Sequence, residues 1–113
     1  MRHALSDEVR YRLLKHLADD PHASQRELAR ALGISLGKVN YCLRALIEKG
    51  LVKARSFRDS GNKAAYAYVL TPRGLDEKFN ATRAFLRVKM AEYDLVAAQI
   101  RELASELDLA ERK

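Results

Sequence analysis

Two short amphipathic segments, at residues 25–32 and 36–49, are separated by only three residues, and this spacing restricts the fold more than any other feature of the chain. Ser24 and Glu27 have the spacing of a capping box, in which each side chain accepts a hydrogen bond from a free backbone N–H. Gly33 is the residue type best able to take a positive φ at a helix C-terminus, and Ser35 can cap the next helix. The pattern predicts two helices joined by a tight turn.

The second of these helices is predicted to run from Leu36 to about Lys49 and to stop at Gly50. Helical spacing places one set of apolar side chains on the same side, namely Val39, Leu43, Leu46 and Ile47. The opposite side carries Gly37, Lys38, Tyr41 and Arg44, with Asn40 on the flank. We therefore expect one buried face and one exposed, basic face.

Elements on either side complete the pattern. Ser6–Ala18 reads as an amphipathic helix with Ser6 as its N-cap. Leu51–Phe57 and Ala64–Thr71 are β-compatible and flank the turn-rich run 58–63, which predicts a hairpin with Tyr66, Tyr68 and Leu70 on one face. Two helices, a tight turn, a third helix and a hairpin therefore follow one another along the chain. This order predicts a mainly α (α+β) fold class, a winged helix-turn-helix with a two-stranded wing.

A long C-terminal helix should follow the hairpin. Thr71 and Pro72 supply a cap and a first-turn proline, and a helix from there to the end would be roughly 60 Å long. Heptad positions a and d, counted from Phe79, are apolar or aromatic at eight of ten places. The residues predicted to mediate dimerisation are Phe79, Leu86, Tyr93, Val96, Ile100, Leu103 and Leu107.

This helix is too long to bury its apolar stripe on the remainder of the chain, so its distal half should pair with a second copy or another protein. The alternative is a hairpin of two shorter helices on the same chain. That alternative needs a helix breaker, and neither Gly nor Pro occurs between Leu75 and Lys113. We therefore predict a winged helix-turn-helix domain at residues 1–71 and a coiled-coil dimerisation helix at 72–113.

The charge of the chain is unevenly distributed. The formal net charge is +6, and residues 1–72 hold 13 Lys and Arg against 7 Asp and Glu, whereas residues 73–113 hold 8 against 8. Such a concentration of positive charge suggests a polyanionic partner, although an ordinary solvated surface would account for it equally well.

Composition and motifs exclude several other classes. The chain has globular composition, with 48% hydrophobic and 32% charged residues, and no apolar stretch long enough to span a membrane, so we expect a cytoplasmic protein. The single Cys42 and the scattered His3, His16 and His22 lack the spacing of a metal site, and a redox role for Cys42 is less favoured than simple burial. No Gly-rich phosphate loop, GxSxG or HExxH motif is present. We expect no enzyme activity, cofactor or metal.

A winged helix-turn-helix implies double-stranded DNA as partner. Its second helix lies in the major groove with its N-terminal part toward the base edges. Lys38 and Arg44 can donate to guanine or phosphate, Asn40 can pair with adenine, and Tyr41 can stack or donate to phosphate. The predicted DNA-binding residues are Ser35, Gly37, Lys38, Asn40, Tyr41 and Arg44 in this helix, and Arg55, Arg58 and Lys63 in the wing.

The run RELARALGISLGKVNYCLRALIEKGLVKARSF, followed by YAYVLTPRGL, resembles the MarR-type winged-helix transcriptional regulators. The similarity covers roughly Asp7 to Arg101 and is closest to the bacterial subgroup associated with exopolysaccharide gene clusters. It implies that Arg58–Lys63 form the wing and that the recognition helix contains Ser35, Lys38, Asn40, Tyr41 and Arg44. MarR proteins typically carry an extra N-terminal helix that joins the dimer, and no such segment precedes Ser6, so we expect dimerisation to rest on the last helix alone.

Two functions are consistent with these features. In the first, a homodimeric regulator reads a pseudo-palindrome with two recognition helices. In the second, the winged helix is a protein or RNA adaptor whose last helix pairs with a different protein. Basic residues on both the recognition helix and the wing favour the regulator, since an adaptor does not need both. The sequence identifies no small-molecule effector.

Overall fold

The computed structural model describes residues 6–58 and 64–112. Three helices are followed by a two-stranded antiparallel sheet and a long fourth helix. The elements are α1 (Asp7–Asp19), α2 (Gln25–Leu32), α3 (Leu36–Glu48), β1 (Val52–Arg58), β2 (Ala64–Leu70) and α4 (Pro72–Glu111). The predicted winged helix-turn-helix with a long C-terminal helix is confirmed.

The helix ends form as the sequence predicts. The Ser6 hydroxyl accepts a hydrogen bond from the Val9 N–H, and Ser24 and Glu27 form the complete capping box. Gly33 ends α2 with φ of 68°, in the left-handed region that favours glycine. Ser35 caps α3 two residues later. Local sequence signals alone therefore fix the turn between α2 and α3.

The core lies where α1, α2, α3 and the sheet meet. Its buried members are Leu13, Leu17, Ala23, Leu28, Leu32, Val39, Cys42, Leu43, Val52 and Tyr68. Leu28 of α2 and Val39 of α3 both belong to this cluster and are completely buried. This packing fixes the crossing of α2 and α3 and holds the outer face of α3 toward solvent.

The buried face of α3 differs from the prediction at one residue. Ile47 was expected in the core but is 37% exposed, whereas Cys42 is buried. At about 100° per residue, Val39, Cys42, Leu43 and Leu46 cluster around one direction, and Ile47 lies about a quarter turn away from it. The core thus meets α3 slightly rotated toward Cys42, and α3 ends at Glu48, one residue before the predicted end.

The two strands pair in antiparallel register from Val52 opposite Leu70 to Arg58 opposite Ala64. The backbone N–H of Tyr68 also donates a hydrogen bond to the carbonyl oxygen of Pro21, with an N···O distance of 2.8 Å. The hairpin is thereby attached to the turn between α1 and α2. Tyr66 and Tyr68 lie on one face of the hairpin as predicted, and their rings stack at 6.3 Å. Tyr66 is nevertheless 56% exposed while Tyr68 is buried, because Tyr66 lies farther from the core along the strand.

α4 is one continuous helix of 40 residues, so the alternative of two helices folded into a hairpin is wrong. Its N-terminal part packs on α1, where Ala81 is fully buried and the rings of Tyr11 and Phe85 stack at 5.3 Å. From Leu86 onward, every described residue except the half-buried Ala97 is exposed. Within the described ranges, no helix combines the length and apolar character needed to cross a membrane.

Candidate nucleic-acid interface

The outer face of α3 presents a contiguous basic and aromatic surface. Gly37, Lys38, Tyr41 and Arg44 are all exposed, and the Tyr41 side chain is 65% exposed. Within the described part of the chain, neither Lys38 nor Arg44 forms an ion pair. Their charges are therefore available to a polyanion. Glu48 lies at the C-terminal end of the same face of α3, and its negative charge repels anions there. The N-terminal half of this face is therefore the part that favours an anion.

The N-terminus of α3 strengthens this preference. The Ser35 hydroxyl accepts a hydrogen bond from the Lys38 N–H at 3.1 Å and so serves as the cap. The first turns of α1 and α2 contain acidic residues, whereas the first turn of α3 contains none. The positive end of the α3 dipole is consequently not neutralised by the helix itself, which suits it to approach phosphate or electronegative base edges.

Asn40 is not a free side chain on the flank of α3. It is half-buried, and its Nδ2 donates a hydrogen bond to Oε1 of Gln25 at 3.2 Å. Nε2 of Gln25 in turn donates to the Tyr68 hydroxyl at 2.9 Å. Sequence reasoning missed Gln25 and assigned Tyr68 only to packing, because no local pattern links three residues on three different elements.

The wing contributes a second basic surface. Lys53 and Arg55 lie two residues apart on β1, and so on the same face of the strand, and both are exposed. The buried Val52 lies on the opposite face, toward the core. The side chain of Arg58 and all of Lys63, two predicted wing contacts, lie outside the part of the chain that the structure describes.

The residues predicted to mediate dimerisation form an exposed stripe on α4, here called the α4 seam. Each of its seven members is between 50% and 73% exposed; they are Phe79, Leu86, Tyr93, Val96, Ile100, Leu103 and Leu107. Lys89, the charged residue at a predicted d position, forms an ion pair with Glu92 at 3.1 Å and lies 5.3 Å from the centre of the Phe85 ring. Such an extent of exposed apolar surface is typical of an interaction site.

Cys42 lies beside a hollow of about 120 Å³ between α1, α3 and the start of α4, which is also lined by Arg10, Tyr41 and Glu77. Burial raises the pKa of the Cys42 thiol, and the charge of Lys38 only partly opposes this effect. A raised pKa leaves less of the reactive thiolate at neutral pH, which argues against a redox switch at this residue. Among the described residues, no group of three or more His, Cys, Asp or Glu side chains could hold a metal ion.

Comparison with known proteins supports the same fold. Residues 6–53 match a family model described as winged helix-turn-helix DNA-binding. This match covers α1 to α3 and the start of β1, the elements that build the basic surface of α3. A comparison with curated proteins gave no match.

Several solved structures are similar to this chain. A PadR-like transcriptional regulator from Bacillus cereus has a TM-score of 0.69 at 16% identity, over 78% of this chain and 90% of its own. A MarR family transcription regulator has a TM-score of 0.58 at 25% identity, over 96% of this chain and 74% of its own. MarR from Staphylococcus aureus, solved with salicylate and kanamycin, has a TM-score of 0.52 at 18% identity over 73% of this chain. The chain spans about half of that last protein, 53% of its length. These similarities establish a winged-helix regulator fold like those of the MarR and PadR proteins.

Proposed function

We propose that this chain is a sequence-specific DNA-binding transcription regulator of the MarR type that acts as a homodimer. The observation that carries the proposal is the outer face of α3, where Lys38, Tyr41 and Arg44 are exposed beside a positive helix end whose first turn contains no acidic residue. In a winged helix-turn-helix this helix enters the major groove. Its basic side chains then reach guanine or phosphate, and Tyr41 reaches the sugar or a thymine methyl group.

The wing supplies a contact of a different kind. Lys53 and Arg55 on β1 bring positive charge to the phosphate backbone or the adjacent minor groove, and the sequence predicts the same role for Arg58 and Lys63. These contacts are independent of sequence and sensitive to salt. α3 therefore selects the site, and the wing adds affinity to every duplex.

The second copy is inferred from the α4 seam. Its 3–4 spacing of apolar residues continues far beyond Phe85, which stacks on α1, so a single chain leaves it in water. Pairing two seams removes this surface and fixes the separation of two recognition helices. The DNA site is then a pseudo-palindrome with half-site centres about 34 Å, one helical turn, apart. Control of exopolysaccharide genes is the part of the proposal that rests on the sequence resemblance alone.

The decisive experiment measures binding of the purified protein to the DNA upstream of its own gene and to an unrelated duplex of equal length across a salt series. We expect the upstream duplex to bind at least about a thousandfold more tightly, and footprinting to show two half-sites. Equal, weak and steeply salt-dependent binding to both duplexes would overturn the proposal and favour a protein or RNA adaptor.

A further inference from the structure

A chain of side-chain hydrogen bonds connects the recognition helix to the wing. Asn40 on α3 donates to Gln25 at the start of α2, and Gln25 donates to the hydroxyl of Tyr68 on β2. The two donor–acceptor distances are 3.2 Å and 2.9 Å, and both bonds are partly buried. Gln25 is suited to the central position because its amide provides one acceptor for Asn40 and one donor for Tyr68.

Tyr68 is held at both ends. Its backbone N–H donates to Pro21 in the turn between α1 and α2, its hydroxyl accepts from Gln25, and its ring is buried in the core. A shift of the hairpin relative to α2 would therefore break the bond to Gln25, and this in turn would release Asn40. The position of β2 and the conformation of the Asn40 side chain are linked through one residue.

We propose that Gln25 is a positioning residue that sets the wing relative to the recognition helix, and that Asn40 acts in this link instead of pairing with a base. The proposal rests on the proposed DNA-binding function. Reading a site with α3 while the wing contacts flanking phosphates requires a fixed separation between the two surfaces. Because Asn40 is half-buried and already bonded, its contribution to specificity passes through Gln25 and Tyr68.

Three variants test the link, and one of them is a matched rescue. Gln25→Leu removes both hydrogen bonds at nearly constant size. Tyr68→Phe removes only the bond at the hydroxyl. Gln25→Glu keeps both bonds, because a carboxylate accepts from the Asn40 amide and from the Tyr68 hydroxyl, which then becomes the donor. Thermal unfolding is measured for every variant, so that DNA binding is compared only between folded proteins.

The first measurement is the ratio of specific to non-specific DNA affinity at fixed salt, with sites selected from a random duplex library. We expect Gln25→Leu to lower this ratio about tenfold and Tyr68→Phe about threefold, while Gln25→Glu stays within about threefold of the unmodified protein. Asn40→Ala should lower the ratio without changing the preferred base at any position. If the unmodified protein binds its site specifically, an unchanged ratio for Gln25→Leu, or a changed base preference at a single position for Asn40→Ala, would overturn the proposal.

A second measurement, without DNA, separates the failure of this inference from the failure of the DNA-binding function. The unfolding free energies of Asn40→Ala, Tyr68→Phe and the double variant are compared in the presence of Gln25 and in the Gln25→Leu background. The link is supported if Asn40→Ala and Tyr68→Phe change the unfolding free energy non-additively when Gln25 is present but additively in the Gln25→Leu background. This holds even if the protein binds all duplexes alike. Additive effects in both backgrounds would overturn it, even if specific DNA binding is found.

Discussion

Gly74 in the first turn of α4 lies directly against the backbone of Leu51, so that a β-carbon at residue 74 would overlap the Leu51 carbonyl oxygen. The same contact includes a hydrogen bond from the Thr71 N–H to that oxygen at 3.0 Å. The Thr71 hydroxyl also donates to the carbonyl oxygen of Gly50 at 2.6 Å. The end of α3, the start of β1 and the start of α4 therefore meet at one close backbone contact, which determines the direction in which α4 leaves the domain.

Replacement of Gly74 by alanine should separate this contact. The obstructing atoms belong to backbone and cannot rotate away, so we expect Gly74→Ala to lower the free energy of unfolding by about 3 kcal/mol. Urea unfolding followed by circular dichroism measures the change. A loss below about 0.5 kcal/mol would mean that α4 can shift its first turn without cost and that the contact does not fix its direction.

Gly37 offers the opposite case on the exposed face of α3. A β-carbon there meets no atom within 4 Å, so Gly37→Ala should raise the free energy of unfolding by about 0.5 kcal/mol through helix propensity. We nevertheless expect about tenfold weaker specific DNA binding, because the added methyl group points toward the groove. The two effects have opposite signs. A stabilised variant with normal affinity would show that the α3 backbone does not approach the DNA closely at this residue.

Sequence patterns predicted the parts of this fold that depend on neighbours along the chain. Ser24 with Glu27, Gly33 and Ser35 act within one or two helical turns, and each forms as expected. The exposed fractions of Tyr41 and Arg44 also follow from helical spacing alone. Heptad spacing similarly predicted a continuous α4.

Contacts between distant residues were not predictable in the same way. The partners of Gln25, at positions 40 and 68, lie on two other elements, and a single glutamine carries no pattern that indicates them. The exposure of Ile47 depends on how far α3 is rotated about its axis, which the packing of α1 and α2 decides. The ion pair between Arg10 and Glu77 joins α1 to α4 across 67 positions of sequence, and no local sequence pattern predicts it.

Arg44 and Arg55 should contribute to DNA binding in distinguishable ways. We expect Arg44→Ala to weaken specific binding by about 1–3 kcal/mol and to relax specificity, because the proposed complex places α3 in the major groove. Arg55→Ala on the wing should weaken the binding of all duplexes to a similar extent. It should also reduce the slope of log affinity against log salt concentration by about one, the value for one lost phosphate contact. Salt titrations with the specific and the unrelated duplex measure both. Normal specific binding by Arg44→Ala would remove this residue from the reading surface.

The ion pair between Arg10 and Glu77 predicts a pH dependence of stability. Burial alone would raise the pKa of Glu77, but the hydrogen bond and charge of Arg10 at 2.7 Å outweigh it, and the pKa lies below its ordinary value. A carboxylate with a lowered pKa stabilises the folded state above its unfolded-state pKa of about 4.3, and this contribution is lost as the pH falls through the folded-state value.

We therefore expect Glu77→Gln to lower the free energy of unfolding by about 1 kcal/mol at pH 7 and by progressively less below about pH 4. Urea unfolding at several pH values gives the difference from the unmodified protein. Glu92→Gln is the control, since both side chains of the pair between Lys89 and Glu92 are more than half exposed. A cost for Glu77→Gln that is the same at pH 3 and pH 7 would exclude the ionised pair as its origin.

Ile100 lies near the middle of the exposed distal half of α4 and is 60% exposed in the single chain. A charge there should leave the folded winged-helix domain intact, because Ile100 lies 15 residues beyond Phe85, whose ring stacks on Tyr11 of α1, and is itself exposed. In a dimer, Ile100→Asp would bury two carboxylates in the seam and weaken self-association by about a hundredfold or more. Specific DNA affinity should fall with it, since a monomer contacts only one half-site.

Sedimentation equilibrium of the Ile100→Asp protein, together with DNA binding, measures these two losses. Ser105→Asp is the matched control, because it adds the same charge to the same half of α4 but at heptad position f, opposite the seam. We expect Ser105→Asp to remain dimeric and to bind DNA normally. If Ile100→Asp stays dimeric, the α4 seam is not the interface between copies. If Ser105→Asp dissociates equally, the helix pairs through another face, and the heptad assignment that places Ile100 at position a is wrong.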